Sequence, residues 1–202
     1  MPVESIAQLR EIYALPRDRA VRKQLSSLDR HCRRFIETSP FLVLSTSDAD
    51  GRLDASPRGG PVGFVRIIDD STLLIPDSPG NNRLDSLQNI IHTGRVGLLF
   101  LIPGVDETLR INGRADISCE PEDLQRCMPD GRRGAITAIR VEIEEAYLHC
   151  PKAFMRSRLW DPDARVSRQV LPTLNEMIHE QTGDDSPVES QQEMLQRYQK
   201  DL

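Results

Sequence analysis

The stretch "RVGLLFLI", residues 95 to 102, constrains this chain's fold more than any other, because from Val96 to Ile102 no position is polar. A strand with one wet face alternates apolar and polar residues, so an unbroken apolar run has both faces covered. The interior of a small barrel covers only one of them. The other meets either the chain's own helices or the same surface of a second subunit across a twofold axis, and the sequence weighs these equally.

Around that run, residues Phe41 to Tyr147 read as short strands separated by turn signals. "FLVLSTS" and "RLDAS" flank "DADG", a hairpin signature whose glycine can take positive φ. "GFVRII" and "TLLIP" flank "DDS", and "TLRINGRADI" follows the "PG" that closes the apolar strand. In "AITAIRVEIEEAYLH", Ile136, Ala138, Val141, Ile143 and Ala146 supply an imperfect alternation for a last long strand. This spacing predicts a barrel or sandwich, not alternating strand–helix units.

Helices are expected on either side. Residues 3 to 38 read as helical, with Val21, Leu25, Leu28, Cys32, Phe35 and Ile36 forming one apolar face of a helix from Asp18 to Ser39. Ser39 and Pro40 end it. "PKAFMRSRLW" predicts a short helix, and "SPVESQQEMLQRYQKDL" a polar one opened by Ser186 and Pro187. The organisation is thus a helical segment packing on the barrel over 1–39, the barrel over 40–160 and a helical extension over 161–202.

A length of 202 residues suits one domain with a continuous core. The net charge of -5 provides no basic excess for a nucleic-acid backbone. No run approaches the ~20 apolar residues that span a bilayer, and a charged amphipathic start replaces a signal peptide, so a cytoplasmic location is expected. Cys32, Cys119, Cys127 and Cys150 form no CxxC pair, which argues against zinc and disulfides and predicts mostly buried, inert thiols. His31, His92 and His179 lack metal-ligand spacing, and the neighbours His149 and Cys150 point to opposite faces of a strand.

The chemistry concentrates in "IPDSPGNNRLDSLQNI", residues 75 to 90, where an apolar strand ends in a loop and a helix begins near Arg83. Asn82 reads as the N-cap with Asp85 three positions on, as in a capping box, beside the loop residue Asn81. Remaining first-turn amides point into the loop, where Gly80 lets a ligand approach. Arg83 adds a planar cation, and Arg58 in "DASPRGG" a second, so the pair suits a phosphate monoester. A solvated turn flanked by two surface arginines is the competing reading of the same residues.

The succession "FLVLSTSDADGRLDASPRGG", "LLIPDSPGNNRLDSLQNI", "RVGLLFLIPG" and "TLRINGRADI", with the distal "HCPKAFMRSRLW", resembles the pyridoxamine 5'-phosphate oxidase-like, FMN-binding split-barrel proteins over residues 20 to 160. That resemblance implies a mainly β fold with flanking helices, a six-stranded antiparallel split barrel that dimerises with FMN at the subunit interface. It assigns the FMN phosphate to Arg58 and Arg83. The ring then lies along the strand edges at Ala55, Ser56 and Pro57 on one side and Ile75, Pro76 and Asp77 on the other. Thr108 falls where relatives offer a polar side chain from the partner subunit. Lys152, Arg156 and Trp160 either line one face of the flavin or belong to a helix that plugs the barrel while its cations face water. The implied activity is an FMN-dependent oxidoreductase acting on a small organic molecule, with NAD(P)H as a candidate reductant. The chain carries "QQEMLQRYQKDL" where pyridoxamine phosphate oxidases have an arginine-rich motif, which argues against vitamin B6 oxidation. A non-catalytic flavin carrier or sensor is one alternative. A haem- or tetrapyrrole-binding protein is another, weakened by the lack of a clearly placed axial histidine.

Overall fold

The computed structural model describes residues 2–128, 135–183 and 187–199. Its centre is an antiparallel sheet of seven strands: β1 (Phe41–Ser47), β2 (Leu53–Gly59), β3 (Arg66–Ile67), β4 (Thr72–Asp77), β5 (Arg95–Leu101), β6 (Thr108–Ser118) and β7 (Thr137–His149). The strand order is β2-β1-β5-β6-β7-β4-β3. The mainly β class with flanking helices is as expected, but the sheet is open and holds seven strands, not six. The extra strand is the two-residue β3. Most of "GFVRII" is therefore not strand, because Phe64 and Val65 turn inward to become core.

The doubly apolar strand behaves differently on its two faces. Val96, Leu98 and Phe100 are buried, whereas Gly97, Leu99 and Leu101 are only half-covered within one chain. The buried side joins Leu42, Leu44, Leu73, Ile75, Leu109, Ile111, Ile139 and Val141 in one continuous core. At about 1.5–3 kcal/mol for each fully buried aliphatic or phenyl side chain, this core dominates the stability.

A bulge accounts for the imperfect alternation of β7. Asn112 pairs with Glu145 but Gly113 with Ile143, so Glu144 has no partner across the ladder. The buried series Ile139, Val141, Ile143 resumes one step out of phase at Ala146. Glycine is required at 113, since a Cβ there would lie 2.0 Å from the Glu142 carbonyl oxygen. The displaced Glu144 takes hydrogen bonds from Arg95 (2.6 Å) and Arg114 (3.3 Å). Ile136, expected in the alternation, precedes the strand and is exposed.

The predicted helix from Asp18 to Ser39 is broken in two. Preceded by α1 (Ile6–Ile12), the pieces are α2 (Asp18–Arg22) and α3 (Arg30–Thr38). Between them Leu25 leaves helical geometry to exchange backbone hydrogen bonds with Ala146 of β7, at 3.0 and 2.8 Å. Beyond β4's last pairing that edge of β7 needs partners, and an unsatisfied buried amide costs more than a helical turn gains. Asp29 then restarts the helix by accepting from the His31 and Cys32 amides. Cys32, Phe35 and Ile36 of α3 are buried, whereas α1 and α2 bury no residue.

Five further α-helices follow among the described residues: α4 (Asp85–Thr93), α5 (Pro121–Cys127), α6 (Lys152–Ser157), α7 (Leu174–Thr182) and α8 (Gln191–Tyr198). Helix α8 starts later than expected, capped by Ser190 in a reciprocal box with Glu193. The expected start at Ser186 lies outside the described residues. Two of the four thiols, Cys32 and Cys127, are buried, and desolvation pushes both up to about 11. Cys119 and Cys150 are exposed, contrary to the expectation of mostly buried thiols.

Candidate functional site

The sheet splits where its two ends face each other. Strand β2 is terminal on one side. On the other, β3 pairs only with Leu73 and Leu74, so Ile75, Pro76 and Asp77 have β7 on one edge and no strand on the other among the described residues. Proline at 57 and 76 removes an amide donor from each edge, which disfavours closure into a continuous ladder. The sheet nevertheless curls far enough to bring Arg58 Nε within 3.9 Å of Asp77 Oδ1.

A cleft of about 410 Å³ lies in that gap, walled by Ser56–Gly59, Pro76–Ser78 and the loop into α4. Alternation along β2 sends Asp54, Ser56 and Arg58 to one face. Asp54 accepts hydrogen bonds from Ser56 Oγ (3.1 Å) and from Ser86 Oγ in the first turn of α4 (2.6 Å). Thr46 Oγ1 lies 3.4 Å from the same carboxylate and accepts from Asn89 Nδ2 at 3.0 Å. This nearly buried cluster fixes the mouth of α4 against β2. Sequence reasoning missed it, although the two-residue period of β2 already places Asp54 beside Ser56 and Arg58.

Arg58 is held tightly but incompletely satisfied. One Nη donates to the Pro57 carbonyl oxygen at 3.0 Å, while its buried Nε has no hydrogen-bond partner among the described residues. Asp77 is too distant to supply one. Burial pushes the Asp77 carboxyl above the usual range, and the nearby Arg58 charge only partly opposes that shift.

The helix mouth differs from the capping box expected at Asn82. Helix α4 begins at Asp85, and Asn82 and Leu84 both adopt left-handed backbone, each with φ 60°. Asn81, not Asn82, turns the loop, its Oδ1 accepting from the Arg83 amide at 3.1 Å. Asp85 pairs with Arg83 Nε at 2.9 Å instead of reaching back to a cap. No side chain caps α4, so its first-turn amides remain available at the cleft. A leucine at positive φ costs on the order of 1 kcal/mol, and such strain concentrates at binding sites.

The cleft thus gathers Ser56, Pro57, Arg58, Pro76, Asp77, Asn81, Asn82 and Arg83. It does not gather the other candidates within one chain. Ala55 is exposed on the opposite face of β2, and the Ile75 side chain is fully buried in the core. Thr108 is buried at the start of β6, opposite His149. Lys152 and Arg156 are exposed on α6, which stops at Ser157 because Arg158 turns left-handed. Trp160 therefore does not continue the helix face expected for it. It stacks on Phe154 at 5.7 Å and donates from Nε1 to the Val105 carbonyl oxygen at 2.9 Å.

Residues 28–150 match the family described as pyridoxamine 5'-phosphate oxidase. The chain belongs to that family. No curated protein sequence matches it. Among solved structures, it is similar to HupZ of Group A Streptococcus at 18% identity and a TM-score of 0.50, covering 60% of this chain and 98% of that one. A Clostridium acetobutylicum protein related to general stress protein 26 gives 12% identity and 0.46 over 59% and 85% of the two chains. An FMN-binding protein from Syntrophomonas wolfei gives 14% and 0.43 over 58% and 88%. At these identities the first likeness speaks for the fold alone. In this member of the pyridoxamine 5'-phosphate oxidase family, the family match ends at Cys150, so α6 to α8 lie beyond it.

Proposed function

We propose that this family member is a homodimeric, FMN-dependent oxidoreductase whose cleft between β2 and α4 seats the flavin phosphate. The observation that carries this reading is Arg58: a half-buried guanidinium whose Nε lacks a partner, on the cleft that the uncapped mouth of α4 also borders. Such a donor set fits a phosphate monoester, since charge-assisted hydrogen bonds contribute roughly 1.5–3 kcal/mol each. The residues present therefore fit FMN.

In this reading Arg58 and the α4 amides hold the phosphate, and Arg83 swings from Asp85 to join them. Asn81 and Asn82 shape the loop around it. The free edges of β2 and β4, from Ala55 to Pro57 and from Ile75 to Asp77, offer backbone groups to the polar rim of the ring. The partner subunit's Lys152, Arg156 and Trp160 complete the pocket from across the interface, placing two cations and an aromatic surface near the ring. The half-covered face of β5, with Leu99 and Leu101, provides apolar area for that interface. Bound flavin supplies hydride and electron transfer, while the protein orients it and selects a small organic substrate, with NAD(P)H as reductant.

The test is the visible spectrum of the purified protein with its released cofactor identified, followed by stopped-flow mixing with NAD(P)H. Flavin that is reduced within catalytic time supports the enzyme; flavin that stays oxidised leaves a carrier. Arg58→Ala with Arg83→Ala is expected to lose the flavin while circular dichroism stays unchanged. Full occupancy in that double variant sinks the phosphate assignment.

A further inference from the structure

The terminal segments carry unpartnered apolar surface of opposite charge. Helix α1 has seven residues and buries none of them, with Ile6 74% and Ile12 63% exposed. A helix that short does not persist in water without a packing partner. Leu171, Ile178 and Leu195, around α7 and α8, are likewise exposed. Residues 1–24, which hold α1 and α2, contain five basic and three acidic side chains, whereas residues 174–198, from the start of α7 to the end of α8, contain one basic and six acidic. The chain thus presents a basic apolar surface at one end and an acidic apolar surface at the other.

Both segments leave the sheet at one place. Leu25 pairs with Ala146, and Lys23 Nζ donates to the Leu148 carbonyl oxygen at 2.7 Å, which anchors the N-terminal segment beside the end of β7. The C-terminal run departs from that same strand at Cys150. Yet among the described residues none of α1 or α2 is buried.

We infer that α1 and α2 of one protomer dock on α7 and α8 of a second copy, reciprocally about a twofold axis, as an arm exchange that clasps the dimer. A second copy is the occupant because it is the partner certain to carry the complementary surface. Twofold symmetry lets both arms be covered at once, and charge complementarity fixes their orientation. Large exposed apolar patches on a soluble domain mark such contacts. This inference rests on the dimer proposed above, which it extends by naming the segments that hold it.

The experiment places a photo-reactive benzoylphenylalanine at position 12 in place of Ile12, an exposed site outside the cleft. Unlabelled chain and chain grown on heavy nitrogen are unfolded together, refolded and irradiated, and the linked peptides are mapped by mass spectrometry. Links are expected to fall within 165–199, with about half joining a light to a heavy peptide as random pairing requires. Raising sodium chloride to about 1 M is expected to lower their yield several-fold. Ile6→Asp with Ile12→Asp is expected to speed amide exchange across residues 174–182 while leaving β5 and β6 unchanged. Links confined to one isotope, or unaltered exchange in α7, overturn the arm exchange while leaving the dimer standing. A single-chain mass of 22.8 kDa in light scattering overturns the dimer and the clasp together.

Discussion

The two arginines of the cleft occupy opposite physical situations. Arg58 projects from a strand, with its side chain 22% exposed and its Nε buried; Arg83 sits on a loop between two left-handed residues, 73% exposed and paired to Asp85. A strand-held guanidinium has already lost its rotamer freedom, so it binds an anion without a further ordering cost. The loop-held one must leave a carboxylate and order itself. Of two residues with the same side chain, the buried one should therefore set affinity and the exposed one the salt dependence.

Removing Arg58 gives the largest expected effect. Arg58→Ala should weaken FMN by roughly 30- to 100-fold in fluorescence titration, since it deletes a desolvated charged donor. A loss below threefold would erase the distinction between the arms. Arg83→Ala should cost roughly 3- to 10-fold, and its loss should shrink further as sodium chloride is raised, as expected of an exposed charge. If the two variants respond to salt alike, the comparison breaks.

Asp77 sharpens the comparison through pH. Its carboxyl is raised by burial, so the folded state binds a proton more readily than the unfolded one. The sign follows: this group lowers stability at neutral pH, and stability recovers as pH falls through the folded value toward the ordinary one near 3.8. Asp77→Asn should raise the melting temperature at pH 7 and flatten its dependence on pH above the ordinary carboxyl value near 3.8. Removing a carboxylate beside Arg58 should also tighten FMN by roughly threefold. An unchanged pH profile would mean that Asp77 is solvated in the folded protein.

The smallest effect concerns the strained loop. Leu84→Gly relieves a positive φ that leucine adopts at a cost, offset by glycine's greater freedom in the unfolded chain. The net gain should be about 0.5 kcal/mol in chemical denaturation, with weaker FMN binding because the Arg83 arm loosens. A loss of stability would show that the Leu84 side chain contributes packing that outweighs its backbone.

Much of the barrel was legible because strand patterns are local. The hairpin around Gly51, the strand at 95–101 and the long β6 all follow from residues adjacent in sequence. Arg58, Gly80 and Arg83, which the sequence offers as a candidate anion seat, do line one cleft. The broken helix at Leu25 was not, since its competitor is an amide on Ala146, 121 positions away. The bulge at Gly113 left only a trace, as an alternation in β7 that slips by one residue. The cluster of Asp54, Thr46, Ser86 and Asn89 joins three elements, and no single window contains it.

The order of residues alone determined the strands, their turns and the chemistry each loop can offer, because φ, ψ and side-chain direction respond to near neighbours. Only the tertiary structure decided that Arg58 would be buried and short of a partner, that α4 would open at Asp85 and not beside Asn82, and that Lys152, Arg156 and Trp160 would stand away from their own chain's cleft. Those outcomes depend on which distant groups compete for the same hydrogen bonds and the same apolar cover, and that competition exists only once the sheet has curled.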